Sequence, residues 1–218
     1  FAFLFSVMAH PFIITAEEKY GQLLRDRCRH IFSGTGMPSH DHLHHDRVWK
    51  NAAHLIERLT VAGMVTDQGL AVKAIIASFF HDTGLTVNRG PDHGLESRQI
   101  CSAFLETADM TGDDRKEILD AVEKHDNKGY TGNSDPSSLA AILSVADDMD
   151  AFGEEGIGRY EEIYAMRGIP AAEMPGMIVA NVLSRLRHLE STYRMFPDFI
   201  AEMRLRAEIV TNHFTNIT

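Results

Sequence analysis

Five residues of metal-ligand type sit where an apolar interior should exclude them. His44 lies on a stripe with Val48, Ala52, Leu55 and Leu59. His81 follows Leu70, Ala74 and Ala77, Asp82 follows Ile75 and Phe79, His125 follows Ile118 and Val122, and Asp147 follows Ala140 and Leu143. Spacings of three and four place each on the core-facing side of a helix. An unpaired buried carboxylate costs several kcal/mol even after relaxation, so a proton, a cationic partner or a metal must neutralise it. Taken singly, each residue has an ordinary explanation: a core histidine finds a hydrogen bond, and Asp147 caps a helix or pairs with an arginine such as Arg159. Five of them at the inner faces or ends of four helices, in the order His, His-Asp, His, Asp, point to a divalent ion. Mixed imidazole and carboxylate ligands suit Mn, Fe, Co, Ni or Zn better than Mg or Ca. His81 and Asp82 diverge by about 100° on a helix, so both can reach one ion, or Asp82 can bridge two.

The elements that must position these residues read as helical throughout, since apolar residues recur at three and four from Thr15 onward and alternation is scarce. Thr15 with Glu18 is a capping-box pair opening a helix to about Ile31, and Thr111 with Asp114 is a looser one. Further helices are expected at about 42–61, 67–82, 93–107 and 113–126. Asp135 and Pro136 look like the cap and first-turn proline of a helix reaching about Met149. YEEIYAMRG continues a helix beyond the last acid, and longer helices follow Pro175 and Pro197. The stretches 33–39, 83–91, 127–134 and 153–158 carry glycine or proline and are short enough to be loops of one domain. The fold class is therefore all-α, one bundle of about eight helices over residues 16–218. Within it, residues 170–218 are helices that cover the core or join a second copy.

Composition agrees with one unit. The chain has 218 residues, 44% apolar, a size that builds a core without disulfides or a structural metal. Its 21 basic and 31 acidic residues give a net charge of −10, which opposes a nucleic-acid binder that tracks phosphates and a basic membrane-surface protein. Cys28 and Cys101 are the two cysteines and form no CxxC pair, so a reducing, cytoplasmic setting is expected. FAFLFSVMA lacks the basic flank and small-residue cleavage site of a signal peptide. Residues 1–15 are expected to be a short tail or extension, or an artefact of the gene start with Met8 as the first residue.

HxxRV at His44–Val48, FFHDTG with His81 and Asp82, and Asp147 in SVADDMD together resemble the HD-domain superfamily of metal-dependent phosphohydrolases. The resemblance spans roughly residues 40–165 and is closest to a bacterial branch with HDxxHxxRVW, here His40, Asp41, His44, Arg47, Val48 and Trp49. It implies an HD-type bundle in which His44, His81, Asp82 and Asp147 hold one divalent ion. Members with a second ion add two histidines between the dyad and the final Asp, here His93 and His125. His44 is preferred over His40, His42 and His45 because it fits the HxxRV frame. Two departures are plain. Leu85 stands where some HD nucleotidases carry a glutamate, and HDNKGYTG matches the cyclic-dinucleotide phosphodiesterase signature only loosely.

The implied activity is hydrolysis of a phosphate ester or anhydride, in a nucleotide, by a water whose pKa one or two ions lower toward about 7. Asp82 is the expected bridge and orienter of that water. Cations near the site must meet the substrate's charge: Lys128 first, then Arg98 and Arg47, each of which could equally be a solvated surface charge. Asp148 and Asp150 are expected to fix histidine tautomers or to be plain helix-end acids. Two rivals share the pattern: a di-iron HD-type oxygenase acting on a small polyol or phosphonate, and a non-catalytic module that binds a nucleotide.

Overall fold

Three- and four-residue apolar spacing builds helices along the whole chain. The computed structural model describes residues 10–65, 67–90, 92–126 and 135–216, and none of these is in a strand. The helices are α1 (Pro11–Ala16), α2 (Gln22–Ile31), α3 (His42–Val61), α4 (Gly69–Phe80), α5 (His93–Leu105), α6 (Gly112–Lys124), α7 (Leu139–Asp150), α8 (Glu154–Met166), α9 (Met174–Thr192) and α10 (Pro197–Thr215). A π-helical turn, Glu17–Gly21, joins α1 to α2, so among the described residues ten helices make nine rods.

Two expected helix starts shift. The first rod begins at Pro11, whose missing N–H costs nothing in a first turn, so Thr15 and Glu18 are interior and form no cap. Before α7 the cap is Ser138, whose hydroxyl accepts from the Ala141 N–H, while Asp135 closes the turn ahead of it by accepting from the Ser137 N–H at 2.9 Å. Thr111 caps α6 as expected, accepting from the Asp114 N–H at 3.1 Å. The loop expected over 153–158 shrinks to its first residue: Gly153, at φ 81°, turns the chain and α8 starts at once.

The middle of the bundle is α3, packed along α4 on one side and α7 on the other; α5 pairs with α6, and α9 with α10. Val48, Ala52, Leu55 and Leu59 of α3, Ile75, Ile76 and Phe79 of α4, and Ile142 and Val145 of α7 are buried in one core. Cys28 and Cys101 are buried free thiols. No helix among the described residues is long and apolar enough to cross a membrane.

Candidate metal centre

Each histidine of the centre stands at or near a helix end and is tied by its Nδ1. The α4 helix ends at Phe80, and His81 hydrogen-bonds through Nδ1 to the Ser78 carbonyl at 2.8 Å. His125 caps the end of α6 and bonds to the Val122 carbonyl at 2.7 Å. His93 opens α5 and bonds to the Gly90 carbonyl at 3.0 Å. His44, in the first turn of α3, has Asp150 Oδ2 at 2.7 Å from its Nδ1. A carbonyl only accepts, so Nδ1 carries the proton and Nε2 offers its lone pair to the centre.

Those Nε2 atoms converge with two carboxylates in two sets that share Asp82. In the first, one ligand atom each from His44, His81, Asp82 and Asp147 lies within 4.8 Å of every other. His44 Nε2 is 3.1 Å from His81 Nε2 and 3.3 Å from Asp82 Oδ2. In the second, Asp82 Oδ1 is 3.1 Å from His93 Nε2 and 3.0 Å from His125 Nε2, and those two nitrogens are 3.3 Å apart. All six residues are at most 5% exposed.

This donor set fits divalent ions. Two nitrogens bound at about 2.1 Å, with angles of 90 to 109° at the ion, stand roughly 3.0 to 3.4 Å apart, the spacing of both histidine pairs. Protons could relieve one nitrogen pair each; only a cation serves four convergent donors at once. The electrostatics already favour positive charge. Burial opposes ionisation of Asp82, yet the surrounding imidazoles hold its carboxyl well below the ordinary range. Burial likewise works against a charged His93, but the Asp82 carboxylate outweighs it and pushes that imidazole up to about 9.

The sequence-derived candidates divide cleanly by position. His44, His81, Asp82 and Asp147 meet, as do Asp82, His93 and His125. His45, fully buried like its neighbour, points its Nδ1 at the Ser78 carbonyl and stays out of both sets. Arg47 lies behind the centre: its Nε and Nη2 grip both oxygens of Asp150 at 2.7 and 3.0 Å, and that carboxylate orients His44. Arg98 bonds Asp120 and Glu123 of α6 and does not line the pocket, because two nearby carboxylates hold it. Lys128 falls outside the described residues. Asp148 accepts from Arg185 Nη1 at 2.6 Å.

A pocket of about 280 Å³ opens over Asp82, His93, His125 and Asp147. Its far wall comes from α8 and α9 and supplies Arg159, Arg167, Arg185, Tyr160, Tyr164 and Asn181. Arg159 is buried and donates to Asp147 Oδ1 at 3.1 Å and to Asp150 Oδ2 at 3.3 Å. Sequence reading saw Arg159 only as a partner for Asp147, and missed the others on the wall. The signal for two of them was present: Asn181 and Arg185, four apart, flank the apolar register of Ile178, Val182 and Leu189.

No family model matches the chain, and no curated protein is similar to it in sequence. Solved structures are. A predicted HD superfamily hydrolase from an uncultured Thermotogales bacterium superposes with a TM-score of 0.51, at 23% identity over 84% of this chain and 91% of that one. The fold is HD-type. A protein from Lactobacillus plantarum shares it, with a TM-score of 0.62 and 17% identity over 96% of this chain and 97% of that one. At these identities the likeness concerns architecture; the two donor sets are properties of this chain's own side chains.

Proposed function

We propose that the protein is a metal-dependent phosphohydrolase that cleaves a phosphate ester or anhydride of a nucleotide. One observation carries the reading: the two oxygens of Asp82 face two different donor sets, Oδ2 toward His44 and His81 and Oδ1 toward His93 and His125. His44, His81, Asp82 and Asp147 would hold one divalent ion, and Asp82, His93 and His125 a second. Bound there, such ions would supply a water of lowered pKa and a clamp for phosphoryl oxygens.

The chain's own groups do the rest. Anchored Nδ1–H groups hold all four imidazoles with Nε2 turned to the centre and in register, so the donors need little rearrangement. Asp82, ionised and shared, lies where a nucleophilic water between the two sets would be oriented. Arg159 brings a fixed positive charge beside Asp147, the kind of donor that stabilises charge gathering on a phosphoryl group. The pocket wall concentrates three arginines in a protein of net charge −10, which draws an anionic substrate to this face.

The test joins metal analysis to phosphate release. Purified protein should carry one to two equivalents of transition metal and release phosphate or pyrophosphate from a nucleotide panel with Mn. Asp82→Ala should lose metal and turnover together while the helical circular dichroism persists. Full activity in that variant overturns the reading. Oxygen consumption by iron-loaded protein with a polyol or phosphonate, and no phosphate release, would favour the oxygenase with the same ligand order.

A further inference from the structure

Some hydrogen-bond donors on the wall opposite the metal centre have no partner among the described residues. Asn181 has a determined orientation: its side-chain oxygen accepts from Arg185 Nε at 2.9 Å and from the Tyr160 hydroxyl at 2.8 Å. A guanidinium nitrogen can only donate, so the atom facing it must be the amide oxygen, and the NH₂ group is turned the other way. Among the described residues that NH₂ has no partner, and neither do the Tyr164 hydroxyl and the Arg167 guanidinium. All three residues line the pocket. Tyr164 ties them together in space. Burial pushes its phenol up, and the guanidiniums of Arg185 and Arg167 both act on it in the opposite direction. Tyr160 and Tyr164 pack edge to face, with ring centroids 5.9 Å apart, which stiffens the α8 side of this wall.

A wall of unused donors next to a guanidinium wants a group that only accepts and carries negative charge. We propose that Asn181, Tyr164 and Arg167 form a second anion subsite, so that the preferred substrate carries a phosphate or other anionic group beyond the one presented to the metal centre. This rests on the phosphohydrolase reading and refines its substrate class: compounds with two or more linked phosphates over simple monoesters. Arg167, exposed at the end of α8, stands at the rim of this subsite, and Asn181, half-buried on α9, stands deeper in it.

The test is a comparison of two probes that bind without needing turnover. Calorimetry on Mn-loaded protein measures inorganic phosphate and methylenebisphosphonate, a diphosphate mimic whose bridge resists hydrolysis. Wild type should favour the bisphosphonate, and Arg167→Ala and Asn181→Asp should each lower the ratio of the two affinities by about tenfold, the worth of a charge-assisted hydrogen bond. Asn181→Asp separates recognition from support, since a carboxylate still accepts from Arg185 and Tyr160 while it replaces the NH₂ donors with a negative charge that opposes an anion held at this position. A ratio unchanged in both variants, including equal loss of both probes, overturns the subsite. Failure of the phosphohydrolase reading shows up elsewhere, as absence of phosphate release from every nucleotide, and leaves the binding ratio readable.

Discussion

His44 and His45 are neighbours, both fully buried, and chemically identical. One turns its Nε2 to the carboxylate just past the end of the next helix; the other ends against a backbone carbonyl and the Phe32 ring, 5.0 Å away between centroids. What separates them is the 100° step of the helix, which aims one toward Asp147 and Asp82 and the other between α3 and the first rod. Asp82 is the residue on which both donor sets depend, and His125 serves only one. His125→Ala should therefore strip the second ion first. Elemental analysis after dialysis should fall from two equivalents to about one, in line with the affinity a single ligand contributes. Two equivalents retained would detach His125 from the centre, and one equivalent in wild type and variant alike would mean a mononuclear site.

Helices deliver these side chains only if their backbones come close, and at two places glycine permits it. A Cβ on Gly84, in the turn after Asp82, would lie 2.0 Å from the His93 carbonyl oxygen; a Cβ on Gly94 would lie 2.2 Å from the Glu123 carbonyl oxygen. Both obstacles are backbone, with no flexible end to swing aside. The first contact brings the Asp82 turn against the start of α5, and the second brings α5 against the end of α6, which carries His125. Gly94→Ala should push α5 and α6 apart, lowering stability by about 1 to 3 kcal/mol in a urea melt and weakening the second ion more than the first in a metal titration. Wild-type stability and metal affinities in Gly94→Ala would mean that this contact does not set the helix spacing.

A molecule that buries so many imidazoles should resent acid. Burial pulls His40, on the pocket wall, from the ordinary 6.5 down to about 4, against a pull upward from Glu162 and alongside the nearby charges of Arg159 and His44. Between those values the unfolded chain binds a proton that the folded chain refuses, so stability rises with pH. The contribution is complete above about pH 6.5 and lost as pH falls toward 4, and the gap corresponds to about 3 kcal/mol. Melting temperatures of metal-free protein should drop over this range, and His40→Gln should drop less steeply. Parallel slopes for the two proteins would remove His40 from the account.

Much of the architecture was written in local patterns. Apolar periodicity marked the helices to within a few residues, and Thr111 capped where it was expected. Polar residues on the inner faces of α3, α4, α6 and α7 singled out, from spacing alone, five of the six residues that the structure brings together in the two donor sets, with His93 added by family resemblance. Periodicity reports which face of a helix turns inward and nothing about how helices cross. The choice between His44 and His45, the loss of Arg98 to Asp120 and Glu123, and the wall built by Arg159, Arg167, Asn181 and Arg185 were decided by packing between distant segments. Arg185 reaches Asp147 and Asp148 from more than thirty residues away. Such meetings depend on crossing angles and close approaches, as of Gly94 on Glu123, that arise only when the whole core is assembled.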